Sequence, residues 1–488
     1  MEKENSFNNS VNYNDKIVLL VLLFIPCLLV TRGLDNDTWF LLNSGRYVMN
    51  NGIPHIEPFS IHENMEFVMQ QWMTDVIFWN IYDRLGEIGL YITIIVCYSI
   101  IIFLMYKLTM RASSKNFFVS YAITMLCNIL VYTYMVARPT IFTLVIVMIE
   151  LNVLEKFVID GNRKVLLILP FLSIMMINLH AALWPILFIL ILPYIVDSLR
   201  IKVGIFSNEA YNTKYLLLAV AAMFFSAFIN PYGIDAMTYL LRSTGYPYMK
   251  KIIELQPPYI NDVAGALIYT YIAIILAIYI FYKKGTSKIR YFLLSIGTIY
   301  MVLTSIRNIT YFAVCTLFPL SYYLRDFTLI VKMKSKNSNK YLRMLLISVI
   351  LVLLIVFNNI NEINRKEKPG YLELNNTIDY ILEKEDVHNM ILYTGFNDGS
   401  LVQFRGIKSY IDPRAEVYFK SHNKKEDIFN EYFDLVCGKI YYKEVLDKYN
   451  FTHLILKKGE LLDIYLMKDE NYEIIYENDS YDLFKKVS

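Results

Sequence analysis

The chain has 488 residues, of which 56% are hydrophobic and only 19% charged, and its mean hydropathy is +0.39. A soluble domain carries roughly 45–50% apolar and about 25% charged residues, so composition excludes an ordinary soluble protein and points to a polytopic membrane protein. The net charge of +3 is too small to argue for nucleic acid, and no compact basic motif with interleaved aromatics occurs.

Hydropathy gives about eleven candidate spans, near 17–34, 87–107, 117–137, 139–157, 164–179, 181–198, 214–230, 263–282, 289–305, 308–325 and 341–358. The first has a short apolar core, Ile17–Val30, and no small-residue cleavage site follows it, so we read it as an uncleaved helix with Arg32 at the interface. Between it and the second span lies a loop, 35–86, in which Trp39–Val48 and Trp72–Tyr82 read as amphipathic helices on the membrane surface, with Trp39 and Trp79 as interface anchors. Alternate connections between spans hold 19 Lys and Arg; the intervening ones hold seven, namely Arg46, Arg84, Arg138, Arg242, Lys250, Lys251 and Arg307. The positive-inside rule puts the basic-rich side in the cytoplasm. The amino terminus is then inside, and the 35–86 loop and the carboxyl terminus are outside. Four of the five cysteines (Cys27, Cys97, Cys127 and Cys315, with Cys437 the fifth) lie in apolar runs, and no pair has metal-ligand spacing, so no disulfide framework is expected.

The stretch 1–368 is therefore read as a transmembrane unit. Residues 369–488 are rich in Lys, Asp, Glu and Asn and hold no span-length apolar run. Short β-like runs (389–393, 409–411, 453–456, 472–476, 481–484) alternate with helix-like stretches (373–385, 424–435, 440–449, 460–468), the pattern of a small α/β domain. Gly395-Phe-Asn-Asp-Gly399 reads as turn chemistry rather than a phosphate-cradling loop. The expected fold class is an all-α polytopic membrane bundle with a C-terminal extracytoplasmic α/β domain.

Polar residues interrupt the apolar runs on the external side. Asp35 and Asp37 follow the first span, Arg138 precedes Pro139, and His180 breaks Ile177–Trp184. Asn230-Pro-Tyr-Gly233 ends one span, and Arg307-Asn308 separates two more. Singly, each has a bland reading: arginines snorkel, Asn-Pro-Tyr-Gly stops a helix, and carboxylates can be merely interfacial. Their convergence on one rim suits chemistry at the membrane surface.

The pattern Asp35-Asn-Asp37-Thr-Trp39, Ser44-Gly45, Ile53-Pro54, Glu57-Pro-Phe-Ser60 and Gln71-Trp72 resembles the first external loop of bacterial GT-C-type membrane glycosyltransferases, relatives of the protein mannosyltransferases and the lipid A aminoarabinose transferase. The resemblance extends through Ala137-Arg-Pro139, Asn178-Leu-His180, Asn230-Pro-Tyr-Gly233 and Glu254, and in the tail through Gly395–Gly399 and Tyr410-Ile-Asp-Pro-Arg414. Glu57 departs from the pattern, since members often carry Asp there. The resemblance implies a GT-C-like bundle and transfer of a sugar from a polyprenyl-phosphate-linked donor to a glycan, lipid or protein acceptor, outside the plasma membrane and with inversion. It implies Asp35 as base, with Asp37 orienting acceptor or sugar or sharing Mg²⁺ or Mn²⁺. Arg138, His180 and Arg307 are the phosphate candidates, and Asn230, Tyr232, Glu57, Gln71 and Trp72 complete the expected binding set. Two other classes stay open: a non-catalytic scaffold or partner-binding protein, and a transporter or flippase of lipid-linked saccharides. The last is disfavoured because the ionisable groups gather at one rim and few fall near midplane.

Overall fold

The computed structural model describes residues 13–30, 34–199, 206–207, 211–243, 248, 251–281, 287–326, 346, 349–350, 352–353 and 369–487. Among them, helices form where the apolar runs predict them: α1 Tyr13–Phe24, α2 Asn36–Asn51, α3 Trp72–Ala112, α4 Phe117–Val131, α5 Thr140–Asp160, α6 Ile168–Leu179, α7 Pro185–Ser198, α8 Thr213–Ser226, α9 Val263–Phe281, α10 Ile289–Thr304 and α11 Ile309–Tyr323. Four stretches are long and apolar enough to cross a membrane: Trp72–Ala112, Phe117–Tyr134, Ala181–Ser198 and Val263–Phe281. The last, at 1.5 Å per residue, is about 28 Å long, close to the thickness of a hydrocarbon core. Ile17–Leu29, Thr213–Ser226 and Ile289–Thr304 are shorter apolar helices. Most of the expected span at 341–358, and the Arg32 anchor, lie outside the described residues.

The 41-residue α3 contains a break. Gly86 has φ +61° and ψ −154°, a left-handed geometry that only glycine adopts without strain. It separates an amphipathic arm, 72–85, from the apolar run beyond, where the sequence divides loop from span. The arm packs on α2 so closely that a Cβ at Gly45 would stand 2.1 Å from the Asp75 carbonyl oxygen.

The C-terminal stretch opens with α12 (Pro369–Lys384) and holds a four-stranded sheet of β1 (Leu392–Tyr393), β2 (His453–Lys457), β3 (Tyr472–Glu477) and β4 (Tyr481–Lys486), in the order β1-β2-β4-β3. β1 and β2 are parallel and the other pairs antiparallel. The expected run 409–411 makes only isolated bridges, from Ser409 to Ser60 and to Leu392. Gly395–Gly399 leads into α13 (Gly399–Phe404), and a Cβ at Gly399 would stand 1.9 Å from the Ile411 carbonyl oxygen.

Two expectations are corrected. Trp39 is not an interface anchor: it is 5% exposed, stacked on Tyr371 and tilted against Phe404, so it joins α2 to the C-terminal stretch. Nor are ionisable groups confined to one rim. Arg290 is fully buried between Glu155 (3.0 Å) and Asp197 (2.9 Å), towards the ends of α5 and α7 remote from Arg138. Glu150, buried on α5, has no hydrogen-bond partner among the described residues.

Candidate active site

The centre of the site is built on the first turn of α2. Asp35 is its N-cap: Oδ1 accepts from the Thr38 N–H (2.9 Å) and hydroxyl (2.8 Å), and the Thr38 hydroxyl accepts from the Asp35 N–H, a capping box. The cap fixes Asp35 and turns Oδ2 toward Arg138, whose Nε donates to it at 2.8 Å. Arg138 Nη1 lies 3.1 Å from Asp37 and 3.1 Å from Glu254. Burial alone would lower the Arg138 pKa, but Asp37, Asp35 and Glu254 outweigh it and raise it, so the guanidinium stays charged.

Asp37 is the perturbed acid. Burial pushes its pKa up to about 6; Arg138 opposes the rise, Asp35 and Glu254 add to it, and Arg307 opposes it. Its side chain is still 31% exposed, at the mouth of a cleft walled by protein, so the carboxylate is both raised in basicity and reachable. The turns carrying Glu254 and Arg307 are tied together, the Ser305 hydroxyl donating to the Glu254 carbonyl (3.0 Å) and the Ile306 N–H to the Gln256 carbonyl (2.9 Å). Arg307 makes no ion pair among the described residues.

Two cavities meet here. The more polar one, of about 490 Å³, is bounded by the first turn of α2, by Gln71 and Asp75 at the start of α3, by His180, and by Phe396, Asn397, Arg414 and Tyr432 of the C-terminal stretch. The other, of about 640 Å³, is an apolar groove lined by Ile129, Leu130, Leu144, Val263, Leu267 and Ile309 among others. Both are lined by Asp35, Arg138, Thr140, Glu254 and Arg307.

No family model matches the chain, and no curated protein matches it in sequence. Solved structures do match in fold. AglB, the archaeal oligosaccharyltransferase of Archaeoglobus fulgidus, in complex with an inhibitory peptide and a dolichol-phosphate, superimposes with a TM-score of 0.60 at 10% identity, over 91% of this chain and 69% of that one. ArnT of Cupriavidus metallidurans bound to undecaprenyl phosphate gives 0.56 at 10% identity, over 97% of both chains. AglB with Zn and sulfate gives 0.54 at 11% identity, over 96% and 73%. The chain has the fold of GT-C-type membrane glycosyltransferases.

Within this GT-C fold, the structure brings together Asp35, Asp37, Arg138, His180, Arg307 and Gln71, all lining the polar cavity. His180 is there as a neutral ring: burial and the neighbouring Arg307 lower its pKa to about 3, and Nδ1 pairs with the Thr143 hydroxyl at 2.8 Å. A neutral ring can meet a phosphate as a hydrogen-bond donor rather than as a cation.

Four expected binding residues stand elsewhere. Asn230 holds its own turn, bonding the Ala227 and Gly233 carbonyls and the Tyr232 N–H. Tyr232 donates to the Pro54 carbonyl (2.8 Å), pinning the 35–86 loop. Trp72 Nε1 donates to Asn178 (2.9 Å). Glu57 is buried 2.8 Å from Arg414 and accepts from the Phe59 and Ser60 N–H groups. None of the four lines either cavity, because each spends its polar atoms on the scaffold.

The expected binding set lacked Glu254, Asp75 and Arg414. The Asp-Pro-Arg run was the available signal for Arg414: Asp412 receives the Arg414 N–H, Nε and Nη2, which aims the guanidinium back at Glu57 in the 35–86 loop.

The expectation of Mg²⁺ or Mn²⁺ on Asp35 and Asp37 meets a donor set of another kind. Among the described residues no group of three His, Cys, Asp or Glu is placed to hold a metal. Asp35, Asp37 and Glu254 converge instead on Arg138, whose guanidinium supplies the positive charge between them. These residues do not fit a divalent ion as arranged.

Proposed function

We propose that the chain is a glycosyltransferase that takes a sugar from a polyprenyl-phosphate-linked donor and passes it to an acceptor on the external face of a plasma membrane. In this reading it has about eleven spans, a cytoplasmic amino terminus, and residues 369–488 as an extracytoplasmic α/β domain over the site. The observation that carries the reading is the meeting of an apolar groove and a polar cavity at one set of charged residues. A lipid-linked sugar needs that combination: hydrocarbon along the helices, phosphate at the junction, and sugar in the polar space above.

The residues then divide the work. Arg307, without an ion pair among the described residues, holds the donor phosphate, with Arg138 beside it; guanidinium groups suit phosphate oxygens. Asp37, with a pKa raised to about 6, accepts the proton of the acceptor hydroxyl. The acceptor oxygen bonds to the anomeric carbon as the bond from that carbon to the phosphate oxygen breaks. The electron pair leaves on the phosphate, where the two arginines stabilise it. One displacement inverts the anomeric centre. Asp35, whose oxygens cap α2 and bind Arg138, holds the arginine in place, so the base moves from Asp35, as the resemblance implies, to Asp37.

The test is transfer from polyprenyl-phosphate-linked sugars in proteoliposomes. Asp37→Asn should lower the rate about 10²–10⁴-fold. The wild-type rate should fall with acid as Asp37 is protonated below about pH 6. Unchanged turnover in Asp37→Asn would refute the assignment.

A further inference from the structure

Two buried polar groups in the polar cavity are left unsatisfied by the protein, and they come from distant parts of the chain. Asp75, on the first turn of α3, is 1% exposed and lines the cavity, and neither carboxyl oxygen has a hydrogen-bond partner among the described residues. Arg414 is 7% exposed and lines the same cavity; Nε and Nη2 are bound to Asp412, Glu57 and Gln403, but Nη1 has no partner among the described residues. Folded proteins satisfy nearly all buried polar atoms, because an unmet one has given up its hydration for nothing in return. Two in one cavity mark a place where another molecule completes them. The two side chains feel each other electrostatically, form no ion pair among the described residues, and line the same cavity.

Chemistry narrows that group. A guanidinium N–H only donates, whereas burial raises the Asp75 pKa well above the ordinary range, so its carboxyl can carry a proton and both donate and accept. A phosphate or uronic carboxylate would bring a further anion to a buried site where Glu57 and Asp412 already meet the charge of Arg414. An ammonium would face Arg414 with only a neutral carboxyl to meet it. A hydroxyl answers both, pairing with the carboxyl and accepting from Nη1. The surrounding wall adds the amides of Gln71 and Asn397 and the rings of Phe396 and Tyr432, surfaces that suit the polar edge and apolar face of a sugar ring. Neither Asp75 nor Arg414 lines the apolar groove, so the pair sits on the side of the junction away from the lipid.

We propose that the Asp75 carboxyl and Arg414 Nη1 form a two-point subsite for a hydroxyl of a neutral saccharide acceptor. The proposal rests on the glycosyl-transfer reading above and names the acceptor class for that site.

Asp75→Leu and Asp75→Asn test it in the full chain reconstituted in nanodiscs, with three readouts. These are the thermal unfolding midpoint, binding of undecaprenyl phosphate, and saturation-transfer NMR with separate pools of neutral, amino and uronic oligosaccharides. The neutral pool should bind wild type best. Asp75→Leu should weaken that binding at least ten-fold, and Asp75→Asn, which keeps the shape and one acceptor, should weaken it less. Undecaprenyl phosphate affinity should stay within two-fold. The midpoint should hold or rise in both variants, since the carboxyl has no internal partner to lose; a residue kept for the fold would lower it. A lowered midpoint in Asp75→Asn, saccharide binding that survives Asp75→Leu, preference for a charged pool, or no pool bound by wild type would each overturn the proposal. Failure of wild type to bind undecaprenyl phosphate would count against the donor assignment instead, so the two failures are distinguishable.

Discussion

Replacing Arg414 with methionine should unfasten the C-terminal stretch from the 35–86 loop. Arg414 Nη2 lies 2.8 Å from Glu57 and 2.6 Å from Asp412, and those side chains are fully buried. Removing one partner of a buried ion pair costs about 3–5 kcal/mol, because the remaining charge stays buried without compensation. Here two carboxylates would be stranded, though Glu57 keeps its bonds from the Phe59 and Ser60 N–H groups and Asp412 keeps the Tyr418 hydroxyl. Those bonds place the expected loss near the lower bound, about 3 kcal/mol. Adding Glu57→Gln removes one stranded charge, so the double variant should regain about 1–2 kcal/mol, within the usual range for coupled neighbours. The pH dependence follows from Asp412. Burial alone would raise its pKa, but Arg414 and Tyr418 outweigh burial and hold it below the ordinary range. A depressed acid contributes stability above its unfolded pKa, about 4, and loses it as the pH falls through the folded value. The gap between wild type and Arg414→Met should thus be full at pH 7 and narrow below about pH 4. Equilibrium unfolding of the detergent-solubilised chain reads the energies, and limited proteolysis near residue 369 reads the release. A loss under about 1 kcal/mol, or strict additivity of the two substitutions, would refute the reasoning.

Three further outcomes follow from the packing and the site. Gly45→Ala should destabilise the chain by about 1–3 kcal/mol, the usual range for overpacking, since its Cβ would collide with the Asp75 carbonyl; a neutral effect on the unfolding midpoint would contradict the α2–α3 contact. Arg307→Ala should weaken undecaprenyl phosphate binding about 10–100-fold, the value of a charge-assisted contact, with a shallower salt dependence; calorimetry in nanodiscs at two ionic strengths checks both. Tyr232→Phe deletes the bond to the Pro54 carbonyl and should cost about 1 kcal/mol of stability while leaving the transfer rate within two-fold; a large rate loss at unchanged stability would return Tyr232 to the substrate.

The helices could be read from sequence because span-length apolar runs have few alternatives, and Gly86 stands where run and amphipathic arm divide. Asp35, Asp37, Arg138 and Arg307 were legible for a similar reason: charged groups at the ends of apolar runs are conspicuous. Partnership was not legible. Glu57 is as polar as a ligand-binding residue, and what makes it structural is Arg414, 357 residues away. Asp75 reads as the polar face of an amphipathic helix, and only the folded arm shows that this face is buried against a cavity. The aromatic ring of Trp39 suits an interface or a core equally, and Tyr371 and Phe404 decide for the core. The choice between Asp35 and Asp37 as base turned on a helix cap and a local field, neither visible in the spacing of the two residues.

The central claim is that a polyprenyl phosphate lies in the apolar groove with its phosphate at the Arg138–Arg307 junction. Photo-crosslinking with a benzophenone-bearing undecaprenyl phosphate, followed by mass spectrometry of the labelled peptides, tests it directly. Labels should fall on the groove, at residues 129–136, 263–267 and 309–311, compete with unlabelled undecaprenyl phosphate, and drop at least ten-fold in Arg307→Ala. Labels scattered over the outer faces of the helices, or unaffected by Arg307→Ala, would contradict the account.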